Sequence, residues 1–99
     1  MYSSGTIGIS SNGATPVTLI KMPSSSAMYN HVIIWNNSTT ADGFFSLDGG
    51  NTWAYIPKST ANITQYAESW EEHNNNVLIK ASVNGDMTSV FGFAEWVKI

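Results

Sequence analysis

Hydrophobic and polar residues alternate along much of the chain in a way that predicts β-strands. Within residues 77–83, the apolar positions Val77, Ile79, Ala81 and Val83 fall on one face, and the residues between them fall on the other. A period of two is typical of a strand with one buried face. Asn84-Gly85 follows directly and predicts a two-residue type I′ hairpin. No window of helical length shows a 3.6-residue period, so we expect no long helix.

The most apolar segment of the chain is Val32-Ile33-Ile34-Trp35. An uninterrupted apolar run predicts a strand that is buried on both faces or central in a sheet. On that interpretation, Ile33→Ala or Trp35→Ala would each cost a few kcal/mol, as large-to-small changes in a core do.

Strand and turn signals succeed each other about every ten residues along the chain. The predicted strands cover residues 6–10, 15–22, 29–36, 44–47, 52–56, 60–66, 77–83 and 87–97. Residues 68–76 are polar except for Trp70 and predict a long loop with room for one helical turn. Such spacing predicts an all-β fold, an antiparallel β-sandwich or jelly-roll of seven to eight strands. We expect one domain over residues 1–99, with residues 1–8 either an ordered strand or a flexible or partner-held arm.

The composition is low in charge and bears on possible partners. Charged residues make up 11% of the 99 residues, against a usual share of about 25%. The net charge is −3 and the basic residues are four scattered lysines, so we expect no nucleic-acid partner, since binding phosphates needs a clustered basic face. No apolar run approaches membrane-spanning length, and we expect no membrane partner either.

Cysteine is absent from the chain. This excludes disulfide scaffolds, cysteine–zinc sites and thiol catalysis. The start, Met1-Tyr2-Ser3-Ser4, lacks the basic and apolar regions of a signal peptide. Both features favour assembly in a reducing cytoplasm.

Residues 46–53, Ser-Leu-Asp-Gly-Gly-Asn-Thr-Trp, match the Asp-box pattern Ser-x-Asp-x-Gly-x-Thr-Trp at every position. Asp48 can accept N–H bonds within the turn, Gly49 and Gly50 permit positive φ, and the Trp53 ring can cover the base of the hairpin. The motif is known from sialidases and other β-propellers, where it lies away from the active site. A propeller needs at least four blades, which 99 residues cannot build, so we interpret the motif as a structural hairpin.

No catalytic or metal-ligating constellation is recognisable. Glu71 and Glu72 are adjacent and would point apart in an extended loop, whereas a glycosidase needs two carboxylates flanking its substrate. His31 and His73 are isolated, and two histidines do not make a zinc site; we expect His31 to pack or to cap a strand. The sequence also lacks a nucleophile elbow and a phosphate-binding glycine loop. It therefore predicts no enzyme, no cofactor and no metal site.

Aromatic residues are the strongest candidates for an interface. The chain has four tryptophans, more than a core of this size needs, and exposed aromatic residues favour protein interfaces or sugar rings. Trp53 and Tyr55 would share one face of a strand, forming a small platform or roofing the core. Trp70 lies in a polar segment and is the best candidate for exposure. Trp96 completes the candidate interface set.

Three pieces of the chain, over about residues 29–97, resemble small phage virion proteins of the decoration (capsid cement) type. They are the apolar strand 32–35, the Phe-Ser-x-Asp-Gly-Gly-x-Thr-Trp hairpin at 45–53, and Ala-Ser-x-x-Gly-Asp at 81–86. The resemblance implies a β-sandwich that binds the outer capsid surface and stabilises the shell. It implies two partners, the major capsid protein and further copies of the chain in a homo-oligomer. It also implies a location in the virion, which is assembled in the host cytoplasm. No functional residue is carried over by it.

Two other functions remain open from the residues alone. One is a phage tail, baseplate or fibre component. The other is a host-glycan-binding module that would use tryptophan and tyrosine platforms.

Overall fold

The computed structural model describes residues 1–7, 15–82, 87 and 89–99. Within them the strands are β1 (Tyr2–Ile7), β2 (Val17–Ile20), β3 (Ala27–Asn36), β4 (Gly43–Ser46), β5 (Ala54–Ile56), β6 (Gln65–Ser69), β7 (Val77–Ala81) and β8 (Val90–Lys98). They form two four-stranded antiparallel sheets, in the orders β1-β8-β3-β6 and β2-β7-β4-β5. Two packed sheets of four strands in these orders form a jelly-roll sandwich. The predicted all-β sandwich is confirmed. No helix in the described ranges is long and apolar enough to cross a membrane.

The alternation predicted for β7 is confirmed, and it places the core between the two sheets. Val77, Ile79 and Ala81 are all at most 1% exposed, while Leu78 and Lys80 are half-buried on the outer side. The buried apolar residues that meet from both sheets are Leu19, Ile20, Tyr29, Val32, Ile34, Ala41, Phe45, Ile56, Val77, Ile79, Ala81, Met87, Val90 and Ala94. The hairpin predicted at Asn84-Gly85 lies outside the described residues.

Strand β3 is central in its sheet, between β8 and β6, as its apolar run predicts. The alternative prediction, that both faces of this strand are buried, is wrong. Val32 and Ile34 point into the core and are at most 1% exposed, whereas Ile33 and Trp35 lie on the outer face and are half-buried. In the part of the chain that the structure describes, no second layer covers that outer face, so alternate residues of the strand have different environments whatever their hydrophobicity.

The strand predicted over residues 60–66 is also wrong, and the loop predicted from residue 68 begins too early. Residues 60–64 form a loop in which Thr60 N donates to Ile63 O at 2.9 Å and Ile63 N donates to Thr60 Oγ1 at 3.2 Å. The strand is β6, which pairs with β3 from Gln65 to Ser69. β-branched residues favour strands mainly because they pack on a half-buried sheet, and Thr60 and Ile63 have no such surface, being exposed.

An irregularity in β3 determines what its outer face carries. The register with β8 shifts between Tyr29, which pairs with Trp96, and His31, which pairs with Glu95. The additional residue, Asn30, reverses the alternation, as a β-bulge does. Tyr29 therefore points into the core, with its hydroxyl donating to Lys21 O at 2.9 Å, while His31 points to the outer face.

The two edges of the sandwich differ in how closely the sheets approach each other. On one side Gly5 of β1 lies against the backbone of β2, and a Cβ at Gly5 would stand 1.9 Å from Leu19 O. Only a residue without a side chain permits this approach. On the opposite side, β5 and β6 are edge strands of different sheets, and a cleft opens there.

Candidate interaction surfaces

The outer side of the β1-β8-β3-β6 sheet is rich in aromatic residues. Register pairing aligns the side chains on this side in rows across the strands, three of which hold the aromatic residues: Thr6, Phe91, Trp35 and Tyr66; Ser4, Phe93, Ile33 and Glu68; Tyr2, Glu95 and His31. We call the six apolar members, Tyr2, Ile33, Trp35, Tyr66, Phe91 and Phe93, the aromatic face. All six are half-buried or exposed, so no other part of the described chain covers them.

Neighbouring rings on the aromatic face pack against each other across the strands. Tyr2 stacks on Phe93 with centroids 5.3 Å apart, and Trp35 lies against Phe91 at 5.5 Å. Such pairs stabilise adjacent strands and restrict side-chain rotation. Tyr2 and Tyr66 nonetheless remain 68% and 61% exposed. The face is thus an ordered surface that still presents rings to solvent.

One end of the aromatic face is acidic. His31 Nε2 lies 2.6 Å from Glu68 Oε2, and its Nδ1 lies 3.4 Å from Glu95 Oε1. Trp70 stacks flat on the imidazole ring, with centroids 3.7 Å apart. His31 is packed, as its sequence context predicts, but by an exposed indole and two carboxylates on the outer face and not by the core.

The Asp-box hairpin between β4 and β5 has the predicted local structure. Gly49 and Gly50 have φ values of 76° and 94°, which glycine adopts without strain. Asp48 Oδ1 accepts from Thr52 N at 2.9 Å, and Ser46 Oγ accepts from Gly50 N at 2.9 Å. Trp53 Nε1 donates to Gly50 O at 3.0 Å, which fixes the indole over the turn.

The Asp48 carboxylate is stabilised in its charged form. Hydrogen bonds from the Thr52 hydroxyl, the Thr52 backbone N–H and the Ser46 hydroxyl lower the pKa of Asp48 to about 2. Both carboxylate oxygens are used inside the turn. The motif therefore holds the hairpin together and does not leave Asp48 free to act on a ligand.

Trp53 and Tyr55 lie on the outer side of the other sheet, β2-β7-β4-β5, which we call the hairpin face. Tyr55 is 55% exposed and packs against Phe44 at 5.7 Å between ring centroids. Trp53 is half-buried, and Lys80 Nζ lies 4.2 Å from its ring centroid. Trp53 and Tyr55 therefore lie on the same face, as expected, and they cover the outer side of this sheet.

The remaining two candidates lie elsewhere. Trp70 is 69% exposed and stands at the acidic end of the aromatic face. Trp96 is half-buried against the core, and its buried Nε1 has no hydrogen-bond partner among the described residues. The structure thus brings Trp53 and Tyr55 together, places Trp70 on the opposite side of the sandwich, and directs Trp96 inward.

A cleft of about 610 Å³ lies between the Asp-box hairpin and residues 68–75. Its walls include Trp53, Glu71, Glu72 and Asn74, with His73 at its base. Burial lowers the pKa of His73. Among all the residues that the structure describes, no group of three or more His, Asp or Glu side chains is arranged to hold a metal ion. The cleft therefore offers an indole ring, amide groups and carboxylates for contact.

Sequence inspection misses the aromatic face. Ile33, Trp35, Phe91 and Phe93 are apolar residues of long strands, so they are most simply interpreted as core. The available signal is alternation within β8, where Phe91 and Phe93 alternate with Gly92 and Ala94. Small residues face the packed interior there, and a Cβ on Gly92 would stand 2.8 Å from Leu19 Cδ2.

The architecture defines the chain as an antiparallel jelly-roll sandwich, and one solved structure described below shares this fold. No protein-family model and no curated protein matches the sequence. A chain of the cyanophage Pam1 capsid asymmetric unit is similar with a TM-score of 0.57 and 19% identity, over 97% of this chain and 82% of that one. The tobacco streak virus coat protein dimer gives a TM-score of 0.48 at 10% identity, over 100% and 86% of the two chains. A mitogen from Yersinia pseudotuberculosis gives 0.38 at 17% identity, over 95% and 83%. The last two scores are too low to argue from, and the first shows a shared fold.

Proposed function

We propose that this chain is a phage capsid decoration protein, which binds the outer surface of the major capsid protein and stabilises the shell. The observation that supports the proposal most is the similarity to a chain of the Pam1 capsid asymmetric unit. That match covers 97% of this chain and 82% of the other, so the two chains are similar in length and in their whole fold, not in one motif alone. The fold by itself does not identify a function, because jelly rolls occur in capsid proteins, lectins and cupins.

Composition and surface support the same role. The described surface presents ordered aromatic rings on a chain with only 11% charged residues, which suits permanent contact better than free diffusion. The proposed role is a binding one, with no reaction, cofactor or metal. We propose a homo-oligomer on the virion surface, assembled in the host cytoplasm.

Binding to purified virus particles tests the proposal. The protein should co-sediment with capsids of the virus that encodes it, and particles lacking it should release DNA at a lower temperature. Heads and tails separated before the experiment distinguish a decoration protein from a tail, baseplate or fibre component. If the protein binds tails and not heads, or binds neither, it is not a decoration protein.

The cleft beside Trp53 supports a second candidate function, binding of a host glycan. An indole with nearby carboxylates and amides is suited to a sugar, whose apolar face stacks on rings while its hydroxyls form hydrogen bonds. Titration with glycans should then change tryptophan fluorescence, and Trp53→Ala should abolish the change. A fluorescence response that survives Trp53→Ala would place any sugar elsewhere.

A further inference from the structure

We infer that the aromatic face is the surface that docks on the capsid, and that its acidic end meets a lysine or arginine of the major capsid protein. This inference rests on the proposed function and specifies which side of the sandwich faces the shell. It selects between two aromatic surfaces, the aromatic face and the hairpin face, which lie on opposite sides of the molecule.

The first argument is the chemistry of the two outer surfaces. On the hairpin face, Lys80 lies over the Trp53 and Phe44 rings, at 4.2 and 5.9 Å from their centroids. These rings therefore already have a partner, and a charged amine stands in front of them. On the aromatic face Tyr2 stacks on Phe93 and Trp35 packs against Phe91, and Tyr2 and Tyr66 are more than half exposed. Exposed tyrosine and tryptophan rings, held rigidly, are typical of the centre of a protein interface.

The second argument is extent. The three rows, from Phe91 to Glu95 along β8, span about 14 Å at about 3.4 Å per residue, and the four strands cover a width of about 19 Å at about 4.8 Å each. The projected area is thus roughly 270 Å², and the accessible area is larger because the side chains protrude from the sheet. A standard interface buries about 800 Å² of accessible surface on each partner. The aromatic face is therefore large enough to form the apolar centre of such an interface, with neighbouring loops as its rim.

The third argument is charge, which indicates what kind of partner fits. The charged side chains at outward positions are Glu68 and Glu95, which flank His31. None of the four lysines, all of which the structure describes, occupies an outward position of this sheet: Lys21 and Lys58 lie outside its strands, Lys80 lies on the hairpin face, and Lys98 pairs with inward-facing Ala27. A second copy of the same face would bring two more carboxylates and no lysine. The better complement is an apolar surface of a different protein that carries a cationic side chain at one end.

Matched tyrosine substitutions test the inference in capsid co-sedimentation. Tyr66 and Tyr55 are 61% and 55% exposed and lie on opposite faces. Tyr66→Ser should weaken binding at least tenfold and Tyr2→Ser/Tyr66→Ser more strongly, whereas Tyr55→Ser should stay within twofold of the unsubstituted protein. Glu95→Lys should also weaken binding, and Glu72→Lys, outside the face, should not. Thermal unfolding of each variant shows whether a loss of capsid binding results from misfolding.

The outcomes separate this inference from the proposed function. If the unsubstituted protein does not bind capsids, both are wrong. If it binds and Tyr66→Ser binds equally well, or if Tyr55→Ser is the variant that loses binding, the docking surface is wrong and the decoration role stands. Analytical ultracentrifugation tests whether the aromatic face instead binds a second copy of the chain. If the protein is an oligomer that dissociates on Tyr2→Ser/Tyr66→Ser, the aromatic face is a contact between copies and the inference is overturned.

Discussion

The indole of Trp70 lies flat on the imidazole of His31, with ring centroids 3.7 Å apart and planes 6° apart. His31 is 7% exposed although it points away from the core, and Trp70 itself is 69% exposed. A residue of the segment after β6 therefore buries a strand residue on the outer surface. The stack fixes the position of a ring that also contacts Glu68 and Glu95, and so orders the acidic end of the aromatic face.

Removing this indole should destabilise the protein modestly. Trp70→Ala should lower the free energy of unfolding by about 1 kcal/mol, the value of a well-placed ring pair. Trp70→Phe keeps a ring over His31 and should lose less. Urea unfolding of the two variants gives the comparison, and equal losses would show that stacking contributes nothing.

The two sides of β3 should respond differently to truncation. Ile34 is 0% exposed in the core, so Ile34→Ala should cost about 2–5 kcal/mol through lost burial and a residual cavity. Ile33 is half-buried on the aromatic face, so Ile33→Ala should cost about 1 kcal/mol, in proportion to the smaller area that it buries. Chemical denaturation measures both. A larger loss at Ile33 would contradict the assignment of inner and outer faces.

Asn36 should be required for stability despite its position in a polar sequence. It is 0% exposed, its Nδ2 donates to Ala41 O at 3.1 Å and Pro57 O at 3.2 Å, and its Oδ1 accepts from Ser38 N at 3.1 Å. Asn36→Ala would leave buried backbone groups unpaired, at about 1–3 kcal/mol.

Asn37 provides the matched control, because it is the next residue and is exposed. Asn37→Ala should change the free energy of unfolding by less than about 0.5 kcal/mol, as surface substitutions usually do. Thermal or urea unfolding of both variants gives the comparison. Similar losses at the two positions would contradict the hydrogen-bond network.

The Asp48 turn should weaken in acid. Its carboxyl has a folded pKa of about 2, below the ordinary value of 3.8. Between these values the unfolded chain binds more protons, so the contribution to stability is complete above about pH 4 and is lost as the pH falls towards 2. Asp48→Asn cannot titrate there. The difference in melting temperature between Asp48→Asn and the unsubstituted protein should therefore shrink from pH 6 to pH 2, and a constant difference would mean that the pKa is not lowered.

Local sequence was sufficient where structure depends on local chemistry. The Asp-box forms its turn through bonds between residues 46 and 53, and Gly49 and Gly50 supply the positive φ that the turn needs. The alternation of Val77, Ile79 and Ala81 correctly identified a strand and its buried face. These features, with the spacing of turns, determined an all-β sandwich.

Only the tertiary structure decided which apolar residues form the core and which form a surface. Ile33, Trp35, Phe91 and Phe93 are as hydrophobic as their buried neighbours. They are only half-buried because no second layer among the described residues covers their side of the sheet. The bulge at Asn30 sends His31 outward, and Trp70 then covers it. Asn36 is buried, with its side chain bonded both to Ala41, five residues on, and to Pro57, which is distant in sequence. Hydrophobicity and period determine that a strand forms, whereas the partner of each face is set by contacts between residues far apart in the chain.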